Sequence, residues 1–97
     1  MTPTLVMLYA PGCPACEEAK PEFEKLSKKL PHWKFGLLNL DKPGVNLDFV
    51  VQYTPTLHLA YKGKRYTTDP SIIGTFTEAR MQQWLVAAVK KHESGGR

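Results

Sequence analysis

The chain has 97 residues, of which 42% are apolar and 23% charged, and its thirteen Lys and Arg residues against nine Asp and Glu residues give a net charge of +4. This size predicts one domain with a modest core, and the composition excludes a disordered chain. No apolar run approaches the length of a membrane span. The positive charges are too scattered for the dense basic stripe of a nucleic-acid-binding surface.

The most informative stretch is an apolar run over residues 5–10, a break at Pro11-Gly12 and the sequence Cys13-Pro14-Ala15-Cys16. The run predicts a buried central strand, and residues 17–30 predict a helix. Cys13 would then lie at a helix N-terminus, where unpaired N–H groups and the helix dipole favour a negative charge. Because such a position lowers the pKa of a thiol, and the thiolate is its reactive form, we interpret the chain as a thiol–disulfide oxidoreductase.

The two cysteines are the only ones in the chain, and residues 1–4 lack the basic region of a signal peptide. We therefore expect a cytoplasmic monomer, in which such a pair is catalytic or metal-binding more often than structural. One alternative is a pair of free structural thiols. Another is a metal site or a shared iron–sulfur cluster, although zinc needs four ligands and the histidines are distant in sequence: His32, His58 and His92.

The remaining pattern predicts the element order β-α-β-α-β-β-α in one domain over residues 1–92. The first helix should be kinked at Pro21, where a backbone donor is missing, and should bury one face: Ala15, Ala19, Phe23, Leu26 and Leu30. The later elements are a strand over residues 33–40, a short helix over 45–52, hairpin strands over 56–61 and 64–68, and a helix over 77–92. A right-handed crossover makes the first two strands parallel, which predicts a four-stranded mixed sheet flanked by helices. Residues 93–97 should form a flexible tail.

These features resemble the thioredoxin fold over residues 4–91. The resemblance is carried by the C-x-x-C motif at a helix start and by several downstream matches: Pro21, the segment Leu38-Asn39-Leu40-Asp41-Lys42-Pro43-Gly44, the segment Tyr53-Thr54-Pro55-Thr56-Leu57, the turn Lys62-Gly63-Lys64, and Gly74. The resemblance implies that the Thr54–Pro55 peptide bond is cis and faces the cysteines.

Function follows from the same resemblance. Cys13 would be the nucleophile and Cys16 the resolving cysteine of a redox-active disulfide, with substrate bound by Gly12, Pro14, Thr54 and Pro55. The expected partners are protein disulfides and an electron donor, either a reductase similar to thioredoxin reductase or glutathione. We expect no cofactor, no metal, and no nucleic-acid or membrane partner.

Five positions depart from the family pattern. Gly12 stands where thioredoxins usually have Trp, and the residues between the cysteines are Pro14 and Ala15 instead of Gly-Pro. Met7 and Leu37 replace a buried Asp and its Lys partner, so Cys16 must lose its proton to water, Glu17 or another group. We therefore expect resolution by Cys16 to be slower at neutral pH, or the site to work mainly through one cysteine. The alternatives are a glutaredoxin-like enzyme that uses glutathione, or a redox-inactive binding module with the same fold.

Overall fold

The computed structural model of the chain describes residues 3–45, 47 and 50–95, with 92–95 described as backbone only. Its elements are β1 (Thr4–Tyr9), α1 (Pro14–Lys29), β2 (Lys34–Asn39), β3 (Thr56–Tyr61), β4 (Lys64–Thr68), α2 (Pro70–Ile73) and α3 (Glu78–Gly95).

The four strands form one mixed sheet in the order β2-β1-β3-β4. The crossover through α1 makes β1 and β2 parallel, and β3 runs antiparallel to both β1 and β4. Strand β1 is therefore central, as its apolar sequence predicts, and the site motif follows directly from its carboxyl end. The predicted four-stranded mixed sheet is confirmed.

The core lies between the sheet and the two long helices. Leu5 and Met7 of β1 are fully buried, and they share a cluster with side chains from β3, α1, α3 and the segment before α3: Leu57, Leu59, Ala19, Phe23, Leu26, Ile73, Phe76, Met81, Leu85 and Ala88. The rings of Phe23 and Phe35 meet edge to face with centroids 5.5 Å apart. Burial of these apolar side chains is the main force that fixes α1 against the sheet.

Helix α1 follows the predicted face with one difference at its start. Ala19, Phe23 and Leu26 are buried, whereas Ala15 is exposed on the first turn. The helix is continuous through Pro21, which lies in its interior. The exposure of Ala15 matters for function because it leaves the surface beside the cysteines open.

The beginning of α3 is tied to α1. Thr77 accepts the N–H of Arg80 on its hydroxyl oxygen (3.2 Å), and the Glu22 carboxylate of α1 accepts the N–H of Glu78 (3.0 Å). Lys29 adds an ion pair to the Glu78 carboxylate. Two of the N–H groups that a helix start leaves unpaired are thereby satisfied, one of them by another helix.

The segment between β4 and α3 contains a short helix, although the sequence predicts no helix between the hairpin and residue 77. Helix α2 is only four residues long, and Asp69 caps it by accepting the N–H of Ser71 at 2.9 Å. Such a helix is too short to show a helical period, although Asp followed by Pro is a helix-start signal.

Two further predictions concern the short helix over residues 45–52 and the end of the last helix. Of the helix predicted over residues 45–52, Asn46, Asp48 and Phe49 lie outside the described residues, and positions 45, 47 and 50–52 are not helical. Helix α3 continues to Gly95, past the predicted end at residue 92. None of the helices among the described residues combines the length and the apolar character needed to span a lipid bilayer.

Candidate active site

The turn between β1 and α1 places the first cysteine at the helix start. Gly12 has a φ of +77°, in the left-handed region, and no atom beyond its two chain neighbours lies within 4 Å of where its Cβ would be. Glycine adopts this backbone conformation without the strain that a larger residue such as Trp would bring. Cys13 is then the extended N-cap residue and Pro14 the first residue of α1, where a missing N–H has no cost.

Cys13 and Cys16 form a disulfide across the first turn of α1, with their Cα atoms 5.2 Å apart. Their exposure differs: Cys13 is half-buried, whereas Cys16 has no exposed surface and belongs to the buried side of the helix. Only the first sulfur can meet another molecule without a rearrangement of the helix.

The loop before β3 faces the first cysteine. The Thr54–Pro55 peptide bond is cis, as the resemblance implies. The Thr54 hydroxyl lies 3.4 Å from Cys13 Sγ, and the Thr54 carbonyl oxygen lies 3.7 Å from the same sulfur. Pro55 is fully buried, so the half-buried Thr54 is the residue of this pair that a partner molecule can contact.

Two donors converge on Cys13 Sγ. The backbone N–H of Cys16 donates to it at 3.1 Å, and the Thr54 hydroxyl donates to it at 3.4 Å. Both contacts become stronger when the sulfur carries a negative charge, because hydrogen bonds to ionised groups are the stronger class. The positive end of the α1 dipole acts in the same direction, so the site favours a thiolate at Cys13.

The structure brings together the two positions where the family pattern has a buried ion pair. Met7 and Leu37 are register partners on the adjacent parallel strands β1 and β2. Met7 is fully buried, whereas Leu37 is 53% exposed on the sheet edge. The buried core therefore receives an apolar side chain from β1 at the position where the family pattern has a carboxylate.

Two charged residues close to Cys16 on α1, Glu17 and Lys20, interact with each other at the surface. Lys20 Nζ lies 4.2 Å from the centroid of the Tyr9 ring and 3.5 Å from the Glu17 carboxylate, which is 66% exposed. A cation over an aromatic face is a favourable contact. Glu17 is thus held at the surface beside Lys20, on the helix turn that also contains the buried Cys16.

A groove beside the disulfide was not predicted from the sequence. We call it the α1–α3 groove; its cavity volume is about 390 Å³, and it is lined by Ala15, Glu18, Ala19, Glu22, Pro70, Gly74, Thr75, Phe76 and Thr77. It runs along α1 from the exposed Ala15 towards the Glu22–Glu78 contact. The helical spacing of Ala15, Glu18 and Glu22 could have indicated a shared face, but its opposite wall comes from residues far along the chain.

Of the histidines considered as metal ligands, the two with described side chains, His32 and His58, do not form a site with the cysteines. His58 Nδ1 lies 3.0 Å from the Thr67 hydroxyl on the neighbouring strand β4, and His32 is exposed after α1. Within the described part of the chain, no three His, Cys, Asp or Glu side chains are grouped to hold a metal ion. The His92 side chain lies outside the described set.

Fold and site together define a class: a thioredoxin-type α/β domain with a C-x-x-C disulfide at a helix start, facing a cis-proline loop. The sequence profile of the Thioredoxin family matches residues 1–91, and the chain therefore belongs to the thioredoxin family. Comparison with curated proteins gives no sequence match.

Solved structures share this fold at low sequence identity. Thioredoxin from Fasciola hepatica matches with a TM-score of 0.73 and 19% identity over 89% of this chain and 80% of its own. A structure described as a malarial protein matches with a TM-score of 0.73 and 24% identity over 95% and 98% of the two chains. Thioredoxin f2 from Chlamydomonas reinhardtii gives 0.67 and 24% over 94% and 79%. At these identities the similarity shows the fold alone.

Proposed function

We propose that this member of the thioredoxin family is a thiol–disulfide oxidoreductase. Its dithiol pair, Cys13 and Cys16, undergoes thiol–disulfide exchange with disulfides of substrate proteins. The observation that carries the proposal is the unequal exposure of two sulfurs that already form a disulfide at a helix start. A substrate sulfur can reach Cys13, and Cys16 lies one helical turn away, buried from the substrate. This is the arrangement that two successive exchange steps require.

In the first step, the Cys13 thiolate attacks one sulfur of the substrate disulfide. A mixed disulfide forms, and the second substrate sulfur leaves as a thiolate that takes up a proton from solvent. In the second step, Cys16 loses its proton and attacks Cys13 Sγ, which releases the other substrate sulfur and closes the Cys13–Cys16 disulfide. Two electrons pass from the cysteine pair to the substrate.

Thr54 is suited to two roles in the first step. Its hydroxyl supports the Cys13 thiolate at 3.4 Å, and its backbone lies where an extended substrate segment can pair with it. Gly12 and Pro14 are exposed on the other side of Cys13 and complete the contact surface. Pro55 contributes by holding Thr54 in this position, because its own side chain is buried.

The second step carries the distinctive chemistry of this chain. Cys16 is fully buried, and burial in apolar surroundings raises the pKa of a thiol. With Met7 in place of a carboxylate, the proton must leave through water that enters when the substrate is bound, or reach Glu17 at the surface. We expect resolution to be slow at neutral pH and to accelerate as the pH rises.

Trapping of the mixed disulfide between the protein and a substrate tests the proposal. The Cys16→Ser variant should accumulate a mixed disulfide with insulin, and the Cys13→Ser variant should accumulate none, because its remaining sulfur is buried. Mass spectrometry after an acid quench counts the adduct in each variant. If Cys13→Ser traps insulin as well as Cys16→Ser does, the assignment of the nucleophile is wrong.

The electron donor is tested separately. No bound cofactor is needed in this scheme, because electrons move between sulfurs and return from an external donor in a reducing compartment such as the cytoplasm. Insulin reduction is measured with thioredoxin reductase and, in parallel, with glutathione and glutathione reductase. Turnover only with glutathione would favour the glutaredoxin-like alternative. Turnover with neither, together with no trapped adduct, would favour a binding module.

A further inference from the structure

We propose that Glu18 makes the protein prefer disulfides that lie next to a Lys or Arg residue of the substrate. The inference rests on the proposed exchange function and adds a substrate class to it. Its starting point is the α1–α3 groove, which opens at Ala15, within the C-x-x-C motif itself. A polypeptide bound through its sulfur to Cys13 must pass close to this opening.

The charge of the groove is opposite to that of the whole chain. The nine residues that line it include the carboxylates of Glu18 and Glu22 but no Lys, Arg or His, whereas the chain carries a net charge of +4. Arg80, the cation nearest to Gly74, directs a guanidinium nitrogen to the Ile73 carbonyl oxygen at 3.5 Å and is not part of the lining. The two carboxylates of the lining therefore favour a positively charged side chain, and the Arg80 guanidinium, 3.9 Å from the position that a Gly74 Cβ would take, is a like charge at the Gly74 end of the groove.

Glu18 differs from the other acidic side chains of this helix. Glu17 pairs with Lys20, and Glu24 pairs with Lys28. Glu22 binds both Lys25 and the N–H of Glu78, so its charge is already compensated. The Glu18 side chain makes no hydrogen bond or ion pair with any residue that the structure describes. Its carboxylate is the groove's available partner for a cation.

The remaining lining suits the long side chains of Lys and Arg. Ala15, Ala19 and Phe76 offer apolar surface for the aliphatic stem, since such side chains bury their methylene groups and keep the charged end near water or a carboxylate. Glu18 lies five residues after Cys13, about 7.5 Å along the helix axis at the usual helical rise. An extended lysine next to the attacked substrate cysteine spans a comparable distance.

Another role for Glu18 gives a different expectation. An acidic residue in the first turns of a helix also stabilises the helix through the dipole, and it makes a nearby thiolate less favourable. Both effects would change exchange with every substrate by the same factor. Selection of a basic neighbour would change only the ratio between two substrates, so the ratio is the informative measurement.

The test uses two synthetic disulfide peptides that are identical except for Lys or Glu beside the attacked cysteine. Rate constants for exchange with the reduced protein are measured at low ionic strength, where exposed charges are least screened. We expect the wild type to react about fivefold faster with the Lys peptide, the effect of a partly exposed ion pair. Glu18→Gln should bring the ratio close to one, and Glu18→Lys should invert it.

Glu24→Gln is the matched control, because Glu24 lies on the same helix but outside the groove. It should retain the wild-type ratio. Equal rate constants for the two peptides in the wild type, or an unchanged ratio in Glu18→Gln, would overturn the inference and leave the exchange function standing. Failure of both peptides to exchange at all would instead overturn the proposed function, and the inference with it.

Discussion

At the scale of single residues, the contacts of Cys13 Sγ describe the chemistry of the site. One donor is the backbone N–H of Cys16, which no side-chain substitution removes, and the other is the Thr54 hydroxyl. The Thr54 carbonyl oxygen at 3.7 Å works in the opposite direction, because it can accept a hydrogen bond only from the protonated thiol. Replacing this one hydroxyl group should therefore shift the equilibrium between the thiolate and the protonated thiol at Cys13.

Thr54→Val removes this hydroxyl while keeping the shape of the side chain. We expect the pKa of the Cys13 thiol to rise and the thiolate fraction at neutral pH to fall about three- to tenfold, which corresponds to the usual net contribution of one hydrogen bond, about 0.6–1.4 kcal/mol. The measurement is the pH dependence of alkylation by iodoacetamide in a Cys16→Ser background. Thr54→Ser, which keeps the hydroxyl, should stay near the parent, and a Val variant with the parent's pH profile would contradict the assignment.

At the scale of elements, the contact between α1 and the start of α3 joins the helix of the active site to the last helix. The N–H of Glu78 and the ammonium of Lys25 both bind the Glu22 carboxylate and lower its pKa below its ordinary value of 4.5, with the backbone hydrogen bond as the larger cause. A lowered pKa in the folded state means that ionised Glu22 stabilises the fold above the unfolded pKa. This stabilisation is lost as the pH falls through the folded pKa.

Glu22→Gln should therefore lower the free energy of unfolding at neutral pH and have a smaller effect in acid. Urea unfolding at a series of pH values measures the difference between wild type and variant. We expect that difference to shrink as the pH falls below 4.5, the ordinary value for this carboxyl. Glu24→Gln, whose carboxylate is exposed and pairs only with Lys28, should show little difference at any pH. A pH-independent effect of Glu22→Gln would show that its charge is not what stabilises α3.

The hairpin between β3 and β4 contains a residue that is poorly matched to its backbone. Lys62 and Gly63 have φ values of +49° and +78°, and a two-residue turn with both φ values positive favours Asn at the first position. Lys62→Asn should raise the free energy of unfolding by about 0.5–1 kcal/mol. Chemical unfolding measures it, and Lys64→Asn, a change within β4, should give no gain. Equal effects of the two substitutions would mean that the turn conformation is not the cause.

At the scale of the whole molecule, stability depends on the apolar layer between the sheet and the helices α1 and α3. Adjacent residues of α3 provide a direct comparison, because Leu85 is fully buried whereas Val86 is 51% exposed. Leu85→Ala should lower the free energy of unfolding by about 2–5 kcal/mol, through lost burial and a residual cavity. Val86→Ala should change it by no more than about 0.5 kcal/mol. Denaturant unfolding of both variants measures the contrast, which similar losses would contradict.

The sequence predicts the local elements of this fold better than it predicts the contacts between distant segments. Apolar periodicity predicts β1, α1, the hairpin and α3, because each depends mainly on which of its own residues are buried. The cis bond before Pro55 follows from the family resemblance, since a Thr-Pro bond by itself is trans in most cases. The contact between Glu22 and Glu78 joins residues 56 positions apart, and the α1–α3 groove combines two equally distant segments. No local sequence pattern predicts contacts between segments that are this far apart in the chain.

The complete burial of Cys16 beside a half-buried Cys13 has a practical consequence for anyone who follows this protein in a mixture. A thiol-specific reagent applied to the folded, reduced chain should add one label, and the same reagent in denaturant should add two. The oxidised chain should take up none in either case. Two mass measurements on one sample therefore report how many molecules are reduced and how many of the reduced molecules are folded, without an antibody, a substrate or a fluorescent group.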